Sequence, residues 1–285
     1  MSKIVELYGV STATKDAHDW SAIAERQHCP FLGQKCIKVR KSEPDQTIGT
    51  CTVAYGREPK PIIICPHRLL ERGQVFVDCL HLLHLHEPGN QLHLVPEVTI
   101  PGGSVDYFLV SAIGKRVRDF VGIEFQTLDT TGTVWPDRQR LLKESGSEYS
   151  TAPPTRGARF GMNWKMTAKT ILVQLHHKVQ TFERVNKHIV LAVQDVFMEY
   201  VQREFSFGHI QQANSRDPMQ IHTYRLDQDE VTGAILLQLS SRHSTDADGV
   251  ATALGLQVDQ KVDVEQLISM LELKISDSTR FAPVG

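Results

Sequence analysis

Val121-Gly122-Ile123-Glu124-Phe125-Gln126-Thr127-Leu128 reads as a strand with two unlike faces. At a side-chain period of two, Val121, Ile123 and Phe125 point one way, and Gly122, Glu124 and Gln126 the other. A carboxylate and an amide thus leave an otherwise apolar strand on the same side, next to a glycine that leaves space. Upstream, Val105-Asp106-Tyr107-Phe108-Leu109-Val110 is a second apolar strand holding one acid, entered through the turn Pro101-Gly102-Gly103-Ser104. An unpaired carboxylate is costly to bury, so an acid on each of two neighbouring strands implies a cation or a proton between them. A shared divalent metal is the economical answer.

The segments around these strands predict a mixed α/β fold. Residues 1–28 read as an irregular or weakly helical lead-in, and 29–66 as a turn-rich segment with short strands at 50–55 and 61–65. Residues 69–85 read as largely helical, and 92–95, 104–112 and 120–129 as strands. A long loop through Ser145-Gly146-Ser147 and Pro153-Pro154 leads to a strong helix. There Trp164, Ala168, Ile171, Leu172, Leu175, Val179 and Phe182 recur at spacings of three and four. A strand at 188–193, a helix at 196–205, a strand pair at 221–226 and 235–240, and a helix at 264–273 complete the order. The sheet carries the acids.

With 285 residues the chain holds one large domain, or a main domain with an appendage. An apolar share of 41% supports a core, and no apolar run approaches the ~20 residues of a membrane span. The first residues lack a signal-peptide apolar core, so a cytoplasmic protein is expected. A net charge of −2 and a pI near 6.7 do not advertise a nucleic-acid binder, although phosphate contacts need only local patches. One basic run stands out: Arg138, Arg140, Lys143, Arg156, Arg159, Lys165 and Lys169. Read alone, it is equally a solvated loop and helix face.

Four of the five cysteines, Cys29, Cys36, Cys51 and Cys65, fall in one early segment. In a reducing compartment, four thiolates around one tetrahedral ion are the natural alternative to disulfides. Cys29-Pro30-Phe31, Gly49-Thr50-Cys51 and Cys65-Pro66-His67 set cysteines beside turn formers, and such turns free backbone amides to donate to sulfur. There is no Cys-x-x-Cys pair, so four unrelated buried thiols stay open as a reading, and zinc and iron are not distinguished. Cys79 lies in an apolar stretch and reads as core. His81, His84, His86 and His93 have apolar neighbours and irregular spacing, which favours partly buried packing histidines over a second metal site.

Metal-dependent phosphodiester hydrolysis needs carboxylates to hold Mg²⁺ at the phosphate and a polar group to place the attacking water. Asp106 and Glu124 suit the first task. Gln126 suits the second, since its amide orients a water but cannot take its proton. Alone, an Asp followed eighteen residues later by Glu-x-Gln recurs in many strands by chance.

The segment Cys29-Pro30-Phe31 … Cys36-Ile37-Lys38 … Gly49-Thr50-Cys51-Thr52-Val53 … Cys65-Pro66-His67-Arg68-Leu69 resembles the N-terminal metal module of the NotI-like type II restriction endonucleases. Ile123-Glu124-Phe125-Gln126-Thr127-Leu128-Asp129 resembles that family's Glu-Ile-Gln-Thr-Met-Asp active-site strand. A looser likeness runs through 160–205. The resemblance implies an α/β fold with a PD-(D/E)XK restriction-endonuclease-like core, a mixed central sheet flanked by helices. It implies a small four-cysteine metal module over residues 1–68 and a nuclease domain over 69–285. It further implies Mg²⁺-dependent cleavage of double-stranded DNA at a specific site by a homodimer. By the same resemblance, iron, with zinc as the alternative, is expected on Cys29, Cys36, Cys51 and Cys65. The resemblance likewise implies Asp106, Glu124 and Gln126 as the catalytic set, with Asp106 and Glu124 holding Mg²⁺ and Glu97 as an auxiliary acid. In that light Arg138, Arg156, Arg159 and Lys165, with Lys35, Lys38 and Arg40 of the module, are expected at the DNA. The rival expectation is a non-catalytic DNA-binding protein with a structural four-cysteine zinc or iron module.

Overall fold

In the computed structural model, residues 2–14, 17–149, 160–229 and 232–255 are described. The chain begins with strands β1 (Ile4–Leu7) and β2 (Val10–Ser11), helix α1 (Trp20–Arg26) and the short hairpin β3 (His28–Cys29) and β4 (Gln34–Lys35). Strands β5 (Thr50–Tyr55) and β6 (Lys60–Ile63) then join the first two in a four-stranded sheet of order β2-β1-β5-β6. A 3-10 segment, Pro66–Gly73, leads into α2 (Gln74–Cys79).

Three long strands follow: β7 (Gln91–Ile100), β8 (Gly103–Ile113) and β9 (Arg116–Gln126), paired antiparallel in sequence order. After α3 (Trp135–Glu144), helix α4 (Trp164–Arg184) crosses over to β10 (His188–Gln194), which lies parallel to β9. Parallel neighbours need such a crossover. Helix α5 (Asp195–Glu204), strands β11 (Gln211–Gln212), β12 (Met219–Gln228) and β13 (Ile235–Thr245), and α6 (Ala247–Ala253) complete the described chain. The large mixed sheet has seven strands in the order β11-β13-β12-β10-β9-β8-β7.

Side-chain alternation decides what each face of this sheet meets. Val121 and Ile123 of β9 pack with Leu109, Val190, Tyr224 and, from α2, Val75 and Phe76. The opposite face receives α4, whose stripe of Ile171, Leu172, Leu175, Val179 and Phe182 is buried. Gly122 sits under this helix: a Cβ there would lie 2.4 Å from Phe182 Cζ. The space expected beside the acids is thus filled by a phenyl ring. The same continuous core includes Ile4, Leu7 and Val53 of the smaller sheet and Leu141 and Leu142 of α3.

One fully buried arginine ties distant parts together. Arg68 Nε donates to both carboxylate oxygens of Glu6, at 3.0 and 2.9 Å, and its Nη1 donates to Glu71 at 3.0 Å. Its Nη2 donates to the Ile235 carbonyl at 2.7 Å, and the Phe31 ring lies 4.9 Å away. This network explains why the lead-in is ordered. Glu6 breaks the apolar alternation of β1, yet it is buried because Arg68 and the Thr52 hydroxyl satisfy it.

Two other expectations changed. Residues 69–85 are two 3-10 segments flanking a six-residue helix, because Arg72 and Gly73 take φ of +50° and +64°. Helix α3 was unexpected because polar residues interrupt its apolar positions: Asp137, Arg138 and Gln139 are buried along with Trp135, Leu141 and Leu142. The helix expected at 264–273 lies outside the described residues. Cys79 is fully buried, as expected. Among the described residues no helix is long and apolar enough to cross a membrane.

Candidate active site

Strands β8 and β9 pair Phe108 with Gly122 and Tyr107 with Ile123, so one further step brings Asp106 beside Glu124. Asp106 Oδ2 accepts the Phe125 N–H at 2.8 Å. In return, the Asp106 N–H donates to the Glu124 carboxylate. Glu124 is only 5% exposed, and Asp106 is half-buried. The two acids therefore share one compartment, under α4.

A third group enters from that helix. Lys178 Nζ donates to Glu124 Oε1 at 2.6 Å, with both side chains 6% exposed. Burial pushes the Glu124 carboxyl up to about 7; the Lys178 ammonium opposes this shift and the negative Asp106 adds to it. Burial also raises the Asp106 carboxyl, against the Phe125 N–H and Lys178, and Glu97 contributes in the same upward direction. The sequence reading missed Lys178. Its signal was a lone cation on the apolar stripe of α4, three residues past Leu175 and four before Phe182.

Glu97 lies on β7 between the pairs Pro96–Tyr107 and Val98–Val105, and so faces the position of Asp106. It is exposed and holds φ +52°, a left-handed conformation that costs a non-glycine residue free energy. Gln126 is half-buried at the end of β9, and its Nε2 donates to the Thr127 carbonyl at 2.6 Å. The turn that leads to Asp106 grips α4. Thr181 Oγ1 donates to the Pro101 carbonyl at 2.6 Å, and a Cβ on Gly103 would lie 3.3 Å from Lys178 Cε.

Two carboxylates are donors of the kind Mg²⁺ accepts, since that ion commonly takes one or two from protein and completes its shell with water and phosphate oxygens. Among the described residues, however, no group of three or more His, Cys, Asp or Glu is arranged to hold a metal.

The four cysteines expected to hold iron or zinc are likewise not drawn together as a metal group among the described residues. Cys29, Cys36, Cys51 and Cys65 do lie in one neighbourhood, near enough for their charges to interact: Cys36 with Cys29 and Cys65, and Cys51 with Cys65 and Cys29. Backbone amides also face the sulfurs as the turns predicted. Phe31 and Leu32 donate to Cys29, Gly9 to Cys51 and His67 to Cys65. Yet burial raises the thiols of Cys29, Cys51 and Cys65, and Cys51 Sγ donates to the Gly49 carbonyl at 3.5 Å.

The basic residues divide. Lys35 on β4 and Lys165 at the start of α4 are exposed. Lys38 Nζ donates to the Ile64 carbonyl at 2.9 Å, and Arg40 pairs with Glu43 while stacking 4.6 Å from the Trp135 ring. Arg138 is 2% exposed, which corrects its expected place at the DNA. Its Nε donates to the Ile48 carbonyl at 2.9 Å and its Nη2 to the Tyr8 hydroxyl at 3.2 Å, and it stacks on Trp135 at 4.5 Å. Arg156 and Arg159 lie outside the described residues. Of the four histidines expected to be partly buried, His86 is half-buried and its Nδ1 contacts the Ser111 hydroxyl at 2.9 Å, whereas His81, His84 and His93 are exposed, His84 lying edge-on against His188. Compared with known proteins, the chain matches no family model and no curated sequence.

Proposed function

We propose that this chain is a Mg²⁺-dependent endonuclease of the PD-(D/E)XK kind, resembling the NotI-like restriction enzymes, that cuts double-stranded DNA as a homodimer. One observation supports the reading above the rest: Asp106 and Glu124, from adjoining strands, share one compartment, and the negative Asp106 raises the proton affinity of Glu124. The order of a helix, three antiparallel strands, a crossover helix and a parallel strand supports it too. Two like charges so close under a helix are expensive without a function for them.

In hydrolysis a water oxygen bonds to phosphorus and one P–O ester bond breaks. The departing oxygen keeps the electron pair and takes up a proton, and the attacking water loses one. Asp106 and Glu124 would hold Mg²⁺, whose charge supplies Lewis-acid activation of the water and neutralisation of the phosphate. Glu97 adds negative charge beside Asp106, and Gln126, two residues past Glu124, would orient the water. The exposed Lys35 and Lys165 would grip phosphates. Residues 1–68 would serve as a structural module binding iron, or zinc, through Cys29, Cys36, Cys51 and Cys65. The amides facing three of these sulfurs support that role. Free thiols suit a cytoplasmic setting.

The test is incubation of long genomic DNA with the protein and Mg²⁺, then with Ca²⁺. Discrete fragments with Mg²⁺ alone, abolished by Glu124→Ala, support the reading. Binding with no cutting on any genome tested favours the second reading, a non-catalytic DNA-binding protein. The observation behind that alternative is the Lys178–Glu124 ion pair, which neutralises the acid in place.

A further inference from the structure

Lys178 has no role in the hydrolysis proposed above. Its position is built, not incidental. The β7–β8 turn is pressed onto α4 where this lysine leaves the helix: a Cβ on Gly102 would lie 2.8 Å from the His177 carbonyl atoms. Gly103 borders the lysine stem, and three residues later comes Asp106. The contacts that fix Asp106 therefore also fix the ammonium. Its 2.6 Å bond reaches Glu124 Oε1, an oxygen of the same carboxylate that would ligate an ion. A buried ammonium and a divalent ion cannot both neutralise that oxygen at full strength, because each was desolvated at a cost that only one negative partner offsets.

We propose that Lys178 is a positioning residue that holds the Glu124 carboxylate beside Asp106 in the metal-free protein and yields that carboxylate to the divalent ion. This rests on the metal-dependent reading above. The lysine stands in for the ion during folding and DNA search, so the two acids are in place before metal arrives. It leaves Glu124 on loading, and the chemistry then runs without it.

Two measurements test this at pH 8.5. In wild-type protein with ¹⁵N-labelled lysine, the buried Lys178 ammonium should give a slowly exchanging NMR signal that shifts or vanishes as Mg²⁺ is added. A signal unchanged at saturating Mg²⁺ overturns the proposal without any substitution. In the second measurement, Lys178→Met should melt earlier than wild type in chelator, gain more stability from Mn²⁺, and bind Mn²⁺ about tenfold more tightly. Lys178→Arg should recover wild-type Mn²⁺ affinity. Equal Mn²⁺ affinity in wild type and Lys178→Met overturns the proposal. If wild type neither binds Mn²⁺ nor cuts, the parent reading falls and this one with it. If it cuts in a Glu124-dependent way with the ammonium undisturbed, only this inference fails.

Discussion

Gly102 lies against the backbone of His177, with φ +101° and no room for a side chain: a Cβ would sit 2.8 Å from both the carbonyl carbon and oxygen. A tight turn between two strands is thereby seated on a helix, and the site between them takes its dimensions from that contact. Gly102→Ala faces both a strained dihedral and a backbone clash, and should cost about 2 kcal/mol in urea unfolding. Cleavage should slow more than stability falls, because β8 and α4 move apart at Asp106 and Lys178. A variant with wild-type stability and rate would show that the turn is not seated as described.

Glu124 makes stability depend on pH in a direction opposite to most carboxylates. Its proton affinity is raised in the fold, from 4.5 to about 7, by burial first and by Asp106. Between those values the folded state binds more protons than the unfolded one, so stability falls as pH rises through the window. The full contribution is present below 4.5 and gone above 7. Because Asp106 is coupled to it, the pair titrates together. Metal-free Glu124→Gln, melted across this range, should lose much of the fall seen in wild type. An identical slope would refute the assignment.

Arg138 acts inside the fold. Arg138→Met removes hydrogen bonds to the Ile48 carbonyl and the Tyr8 hydroxyl and leaves both groups buried. A loss of about 2–3 kcal/mol in chemical denaturation is expected, with DNA affinity unchanged in Ca²⁺ at fixed salt. Exposed Lys165→Ala should do the reverse, leaving stability unchanged and weakening DNA binding with a smaller salt slope. An Arg138 variant that folds normally and releases DNA would return this residue to the interface.

Metal content decides the cysteine segment. Protein purified without chelator should carry about one ion per chain, reddish if ferric iron and colourless if zinc. Cys29→Ser should lose the ion and melt earlier, since binding energy at such sites is folding energy. A metal-free wild type with unchanged melting in chelator would leave four buried thiols and no module.

Much of this was legible because strands report burial at every second residue. The acids stood out as interruptions at Asp106 and Glu124, and their shared face followed from the alternation. Helix α4 was legible for the same reason at its own period. Lys178 was not, because a long aliphatic stem lets a lysine occupy an apolar stripe and end at an acid far away in sequence. Arg138 misled in the opposite sense: a basic run suggests solvent, and nothing local shows that Tyr8, Ile48 and Trp135 enclose it. Helix α3 was hidden because Asp137, Arg138 and Gln139 interrupt the spacing of its buried Trp135, Leu141 and Leu142. The cysteine turns were readable, and so were the amides they free, but arrangement around a common point depends on contacts that no spacing encodes.

The Arg68 cluster has a bearing on how the chain assembles as it leaves the ribosome. Its guanidinium waits for a carbonyl that lies 167 positions downstream, while Glu6 and Phe31 are already in hand. Until Ile235 and Leu237 emerge, Arg68 and Glu71 lack the strand that covers and bonds them, so the first third of the protein should stay loosely formed throughout synthesis. Final consolidation would then come late, all at once, and slowly, as closure over such long loops demands.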